Sequence, residues 1–430
     1  MRKIKDSGVA WVGAMPEDWT VKRGKFTLKL LNRPVKDTDD VITCFRDGEV
    51  TLRTNRRTDG FTVSVKEIGY QGIEPGDLVI HGMDGFAGSI GISDSRGKSS
   101  PVLVVCDTDE SKRYIMYYLR SMAYNDVFTA LATGIRVRSC DLRWNKLAEL
   151  PYILPSLPEQ NQIVSAIESN TSKVDALIAN VQAQIEKLKA YKQSLITEVV
   201  TKGLDPNVPM RDSGVEWIGK IPKHYDVIRM RYLINNYKAG PFGSALITDQ
   251  LQSDGDILCY TPEHIANQST ESNKNLYLPE NRRKEMSQFF VSVGDIIFPI
   301  VGSLGRAMVI TSDMPAGIIN QRLAKFSIDA KKMDINYFMW LFAKSSFFHP
   351  FIDLFQRGSI IVNLTKAIIY DMPMIVPPTL EEQKIIASYL DTKCAEIDQL
   401  IAVKQSKIEK LEQYKRSLIY EYVTGKKEIC

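Results

Sequence analysis

No apolar run in this 430-residue sequence approaches the ~20 residues that a membrane-spanning helix needs, and the opening Met1-Arg-Lys-Ile-Lys lacks the apolar core of a secretion signal. Membrane insertion and export are therefore not expected. Cysteine is sparse: the six residues at 44, 106, 140, 259, 394 and 430 have neither metal-ligand spacing nor a disulfide framework, so a reducing cytoplasm is the expected location. A dominant charge is missing too. The formal net charge of +4 permits contact with nucleic acid but does not argue for it unaided. With 44% apolar and 25% charged residues the chain has the composition of a soluble globular protein. Its length allows about two to four domains, and each half is long enough for its own core.

The usual catalytic signatures are missing as well. A phosphate-binding loop needs Gly-x4-Gly-Lys followed by Ser or Thr, and Gly214-Val-Glu-Trp-Ile-Gly219-Lys220 ends in Ile221 instead. That segment reads as a turn around a packed Trp. The only Pro-Pro, in Val376-Pro-Pro-Thr379, lacks the flanking residues with which an amino-methyltransferase grips a flipped base. Glu382-Gln-Lys384 offers a nuclease-like fragment, yet it opens a helix, where Glu favours the positive end of the dipole. The four His (81, 224, 264 and 349) are isolated, with no i, i+4 pair suited to zinc. Composition and motifs predict a chain that is not an enzyme and holds no metal or cofactor.

What is present is repetition. Asp6-Ser-Gly-Val9-x-Trp11-x-Gly13-x-x-Pro16-x-x-Trp19-x-Val21-x-Arg23 returns as Asp212-Ser-Gly-Val215-x-Trp217-x-Gly219-x-x-Pro222-x-x-Tyr225-x-Val227-x-Arg229, at a constant offset of 206. Ile185-Glu-Lys-Leu188-x-x-Tyr191-Lys-x-Ser194-Leu-Ile196 returns at Ile408 to Ile419, at an offset of 223. A duplicated unit implies near two-fold symmetry inside one chain, which suits a two-part target.

Each copy reads as a mixed segment followed by a long helix. Val102–Cys106 and Asp295–Phe298 look like buried strands, and Tyr114–Leu119 and Tyr337–Phe342 like short aromatic helices. The two stretches beginning at 159 and 381 contain no Pro or Gly for about 40 residues, roughly 60 Å of helix. Val174, Val181, Leu188 and Leu195 repeat every seven residues, matched by Ile397, Lys404, Leu411 and Leu418. Leu177 and Tyr191, with Leu400 and Tyr414, are expected in the second seam position. Ile178, Ile185, Ile401 and Ile408 widen the stripe. Heptads sustained in both copies predict that the helices pair as a coiled coil, antiparallel under an internal two-fold.

Candidate DNA-contacting side chains, Arg with one Gln, cluster in each mixed segment: Arg53, Arg56, Arg57, Arg136 and Arg138 in the first, Arg282, Arg283, Gln321, Arg322 and Arg357 in the second. An Arg fork grips phosphate or the O6/N7 edge of guanine, and Gln can read adenine, so these are the candidate DNA contacts.

The order of motifs resembles the specificity subunits of type I restriction–modification systems. The duplicated lead carries the resemblance, with Gly240-Pro-Phe-Gly-Ser244, Gly294-Asp-Ile-Ile-Phe298, Gly302-Ser-Leu-Gly-Arg306 and Ile319-Asn-Gln321. So does Met372-Pro-Met-Ile-Val-Pro-Pro-Thr-Leu-Glu-Glu-Gln383, with its first-half relative Leu150 to Gln160. Ile80-His-Gly-Met-Asp-Gly-Phe86 departs from the pattern, which leaves the DNA-facing loops of the first half unaligned.

The resemblance implies an α/β (α+β) chain with two target-recognition domains separated by two long antiparallel coiled-coil helices. The expected divisions are residues 1–158, lead plus first recognition domain; 159–201, first spacer helix; 202–211, linker; 212–380, repeat lead plus second recognition domain; 381–424, second spacer helix; and 425–430, tail. It further implies a prokaryotic cytoplasmic subunit that binds double-stranded DNA at a bipartite site and recruits two methyltransferase subunits and the restriction/translocase subunits. S-adenosylmethionine, ATP and Mg would then belong to those partners, not to this chain. Two other readings stand beside this one: a stand-alone DNA-modifying enzyme with a divergent site, and a two-headed scaffold that never touches DNA.

Overall fold

A computed structural model describes residues 2–56, 67–130, 142–242, 245–302, 304–345, 347–356 and 364–429, with backbone alone at 354–356. The chain divides into two units: Met1–Gln182 with Lys404–Cys430, and Ala183–Val403. Each long helix therefore begins in one unit and ends in the other.

In the first unit the repeated lead forms a hairpin, Ile4–Asp6 against Ala14–Pro16. Its sequence answers the demands of the loop. The Asp6 carboxylate accepts from Gly8 N at 3.1 Å, Ser7 Oγ accepts from Val9 N at 3.1 Å, and Gly8 and Gly13 adopt φ of 66° and 68°, which glycine tolerates at no steric cost. Trp11 packs on Tyr118, ring centroids 5.3 Å apart. Thr20–Arg23 pairs with Pro151–Leu154, and a four-stranded antiparallel sheet runs in the order Lys29–Leu30, Leu103–Asp107, Leu78–His81, Ile90–Ile92. The helix Lys112–Tyr124 covers this sheet through Tyr114, Ile115, Tyr118 and Leu119, all fully buried.

The second unit repeats the plan. Met210–Asp212 pairs with Lys220–Pro222, Asp226–Arg229 with Pro373–Val376, and the main sheet runs Ile234–Ala239, Leu323–Ile328, Asp295–Pro299, Met308–Val309. Gly214 and Gly219 have φ of 74° and 71°, and Trp217 packs on Phe347 at 4.8 Å. The aromatic helix Ile335–Met339 passes into a π-helical turn at Trp340–Lys344.

Three polar devices are duplicated with the sheets. Gln160, fully buried, accepts from Ser111 N and donates to Pro155 O, while Gln383 accepts from Asp334 N and donates to Pro377 O and Lys332 O. The Tyr114 hydroxyl reaches Ile153 O at 2.9 Å and Val423 O at 3.1 Å; the Tyr337 hydroxyl reaches Val200 O at 3.0 Å and Ile375 O at 3.1 Å. Each hydroxyl thus ties a helix to a strand and to the last turn of a long helix. Glu159 accepts from Trp19 Nε1 at 3.1 Å, as Glu382 accepts from the Tyr225 hydroxyl at 2.8 Å. These carboxylates at helix starts hold side chains in place.

The long helices span Leu157–Lys202 and Leu380–Val423, and the first is followed by Gly203 and the second, one residue later, by Gly425, both left-handed. Within the first unit they pair through Asn170–Tyr422 and through Lys415, which donates to Asp175 at 2.7 Å. One number rises as the other falls, so the pairing is antiparallel. Within the second, Lys192 donates to Asp398 at 2.7 Å. Val174, Val181, Ile397 and Leu418 are buried, Leu418 in the core of the first unit, and Leu188, Leu195 and Leu411 are half-buried. The second seam position corrects the sequence reading. Ile185 and Ile408 are buried and Ile178 and Ile401 half-buried, whereas Leu177, Tyr191, Leu400 and Tyr414 are each at least half exposed. From Val174 the next seam residue lies three or four positions on, and both are apolar, so periodicity alone does not choose between them.

Asp39 is almost wholly buried and receives two bonds of 2.9 Å from Arg96. That hydrogen bonding holds its carboxyl below the usual carboxylate range. A lowered folded-state value stabilises the fold above the unfolded value, about 3.9 for Asp, and the contribution is lost as pH falls through the lowered value. Thermal unfolding of the first unit is therefore expected to lose stability as pH drops below about 4, and Asp39→Asn to flatten that part of the profile. An unchanged profile in the variant would remove the pair from the account of acid stability.

Candidate nucleic-acid interface

The second unit gathers four loops at one end of its main sheet. Ile300, at the exit of the strand Asp295–Pro299, donates to Arg322 O at 2.9 Å and accepts from Leu364 N at 2.9 Å. Gly240, at the exit of Ile234–Ala239, donates to Leu323 O at 2.8 Å. Only glycine suits that position, because a Cβ there would stand 1.9 Å from Asn320 O. Residues 240–242, 300–302, 320–322 and 364–366 thereby form one surface, with a cavity of about 430 Å³ lined by Tyr237, Lys238, Phe242, Phe289, Leu364 and Lys366 among others.

Its electrostatics separate the candidates into two groups. Arg282 bonds Glu285 at 2.9 Å and also holds Gln250 Oε1 and Ala245 O, each at 2.7 Å. Arg283 bonds Glu280 at 2.5 Å and lies over the Phe290 ring. The charge of both is already matched within the protein. Gln321 and Arg322 are exposed on the gathered surface. Lys238 donates to Gln288 and lies over Phe289, and Lys366 stands 4.9 Å from the Tyr370 ring centre. Among the described residues, Lys238, Lys366 and Arg322 have no carboxylate partner. The sequence reading missed both lysines: they are single residues far apart in the chain, and only the loop geometry unites them. Arg357 lies outside the described residues.

In the first unit Gly82 donates to Val102 O and accepts from Leu142 N, the same pattern as at Ile300, so Pro101 and Val102 stand where Gln321 and Arg322 stand in the second. The loop entering this region is braced differently: His81 Nδ1 accepts from Asp84 N at 3.0 Å and from Met83 N at 3.3 Å. Burial pushes the His81 imidazole pKa down, which suits this acceptor role of a neutral ring. Arg56 bonds Asp47 at 2.7 Å and Glu49 at 2.9 Å and stacks over Phe45, while Arg53 is half-buried against Thr43. Arg57, Arg136 and Arg138 lie outside the described residues.

A second duplicated surface lies at the base of each unit. Phe26 and Tyr232, related by the lead offset, are 73% and 60% exposed. Each is flanked by two cations on one acid: Arg23 and Lys25 on Glu149, Arg229 and Arg231 on Asp371. No helix among the described residues is long and apolar enough to cross a membrane. Nor do the described residues assemble a cluster of metal-ligating side chains.

Residues 241–413 match the family described as the type I restriction modification DNA specificity domain. Two relatives from Methanocaldococcus jannaschii share this resemblance. The type I restriction enzyme MjaVIII specificity subunit is 23% identical over 96% of this chain and 93% of its own length. The putative type I restriction enzyme MjaX specificity subunit is 25% identical over 73% and 67%. The fold is similar to a chain solved in a study of complex assembly and conformational transition of the type I R-M system, with TM-score 0.69 and 14% identity over 95% of this chain and 98% of that one. It is also similar to the HsdS subunit from Thermoanaerobacter tengcongensis, with TM-score 0.52 and 16% identity over 96% and 98%. With the duplicated framework, its paired helices and a second half that matches the type I restriction modification DNA specificity domain, the chain is similar over nearly its full length to the specificity subunits of type I restriction–modification systems.

Proposed function

We propose that each unit reads one half of a split double-stranded DNA target and that the paired helices set the length of the unread spacer. The observation that carries this reading is the duplication itself: one sheet, one lead hairpin and one buried Gln are built twice, while the loops at the sheet ends differ. A repeated framework with divergent loops suits two readings of different sequence. Half-sites roughly one helical turn, about 34 Å, apart would be met on one face of the duplex. Gln321 and Arg322, with Lys238 and Lys366, are the preferred contacts of the second unit; Arg53, with residues outside the described set, serves the first. Selection of binding sites from a randomised duplex pool tests this. A split motif supports the reading, and binding without sequence preference at physiological salt contradicts it.

The chain itself catalyses nothing in this reading. Two methyltransferase subunits carrying S-adenosylmethionine modify adenine, restriction subunits use ATP and Mg, and the assembly works in the prokaryotic cytoplasm. Support for two copies of one partner comes from Phe26 and Tyr232, exposed aromatics kept at equivalent places in both halves. Leu177 and Leu400, with Tyr191 and Tyr414, repeat the pattern along the helices. Replacing Phe26 and Tyr232 by Ala is expected to weaken co-purification with the methyltransferase by about 2 kcal/mol, or roughly thirtyfold, at each site. Unchanged assembly would remove these residues from the partner surface.

A further inference from the structure

We propose that Phe242 is an insertion wedge, a side chain that enters between adjacent base pairs of the bound duplex and fixes the position of the second unit on its half-site. The proposal rests on the DNA-reading role above. Phe242 is 76% exposed, while its neighbour Pro241 is buried. Proline limits the backbone at 241, Gly240 is seated against Asn320 with no room for a side chain, and the Phe242 carbonyl accepts from Ala245 N. Ala245 O is in turn held by Arg282. The loop is thus anchored on both sides of a ring that its own fold does not cover. Arg282, expected to touch DNA itself, acts here as a positioning residue.

The surroundings decide the partner. Lys238, Lys366 and Arg322 stand on the same gathered surface with no carboxylate partner among the described residues, so it is cationic where the ring projects. A protein core offers no such charge pattern, whereas a phosphate backbone flanking a stack of bases does. The rings of Tyr237 and Phe289 line the cavity beside Phe242 and give an unstacked base edge an apolar floor. Apolar wedges of this kind, Phe among them, part base steps and kink the duplex while cations hold the flanking phosphates.

The test uses the full chain assembled with its methyltransferase, and duplexes that the wild-type assembly has selected from a randomised pool. Single bases across the site are replaced in turn by 2-aminopurine, whose fluorescence rises on unstacking. Wild type is expected to brighten one step in the half-site read by the second unit. Phe242→Ala should abolish that signal and weaken binding about tenfold, while Phe242→Leu should retain most of both. Lys366→Gln should leave the bright step in place and lower the salt dependence of binding by about one phosphate contact. If wild type selects a sequence but no step depends on Phe242, the wedge is wrong and the DNA-reading role stands. If Phe242→Ala weakens only assembly with the methyltransferase, the wedge is equally wrong and that face serves a protein partner. Failure of wild type to select any sequence would overturn both.

Discussion

Replacing Ile185 and Ile408 together by Asp is expected to abolish selectivity for spacer length while each unit still recognises its own half-site. Both side chains are buried, each on one of the long helices. A carboxylate at either place would be desolvated without a partner, a cost of about 3–5 kcal/mol each. The outer ends of the helices are secured otherwise. Ile163, Ile167, Leu418 and Ile419 are buried in the core of the first unit, and Ile196, Val199, Ile386 and Leu390 in that of the second. Loss should therefore stay in the middle of the pair. Leu188→Asp with Leu411→Asp should act in the same direction but less strongly, since these residues are half-buried. Binding measured on duplexes that differ only in spacer length decides the matter, and retained selectivity would refute the ruler.

Lys325→Ala is expected to unfold the second unit selectively. Lys325 and Asp295 form a pair at 2.8 Å inside the main sheet, side chains 12% and 9% exposed, and Asp295 also accepts from Ser292 N. Removing the cation leaves a buried carboxylate with one backbone bond, worth about 3–5 kcal/mol of lost stability. In the first unit the equivalent acid, Asp77, pairs with Arg33 and is untouched by this change. Hydrogen exchange should show protection lost at Asp295–Pro299 and Leu323–Ile328 and kept at Leu78–His81 and Leu103–Asp107. Uniform loss across both units would mean that they do not fold independently.

Much of this architecture could be read in the sequence because its causes are local. The lead hairpins announce themselves through Asp, Ser and two glycines, each answering a particular backbone need, and the long helices through the absence of Pro and Gly. The strands at Val102–Cys106 and Asp295–Phe298 emerged one residue later or longer than expected, as Leu103–Asp107 and Asp295–Pro299. The shared order of the two main sheets was not legible. Their strands are two to six residues long, and in each sheet the pairings made by the central strands Leu103–Asp107 and Leu323–Ile328 join partners about twenty or more residues apart. The hydroxyl locks of Tyr114 and Tyr337 also escaped notice, since nothing nearby in sequence names the carbonyls of Val423 and Val200.

The interface was read by charge, and there the signal misleads in a definable way. Arg282 with Glu285 and Glu280 with Arg283 are i, i+3 pairs visible in the sequence, so self-neutralisation could have been foreseen. Arg56 likewise has Asp47 and Glu49 close by. Lys238 and Lys366 carried no such clue. Their significance comes from two strand exits, one strand entry and one helix start meeting at one place, which is a property of the fold and not of any segment.

The central claim, a two-part reader of DNA, is tested most directly by mapping methylated adenines with long-read sequencing in cells that express the methyltransferase with and without this chain. The account predicts one split motif, two fixed half-sites around a spacer of constant length, present only when the chain is expressed. A methylation pattern indifferent to the chain, in cells where the methyltransferase is active, would contradict it.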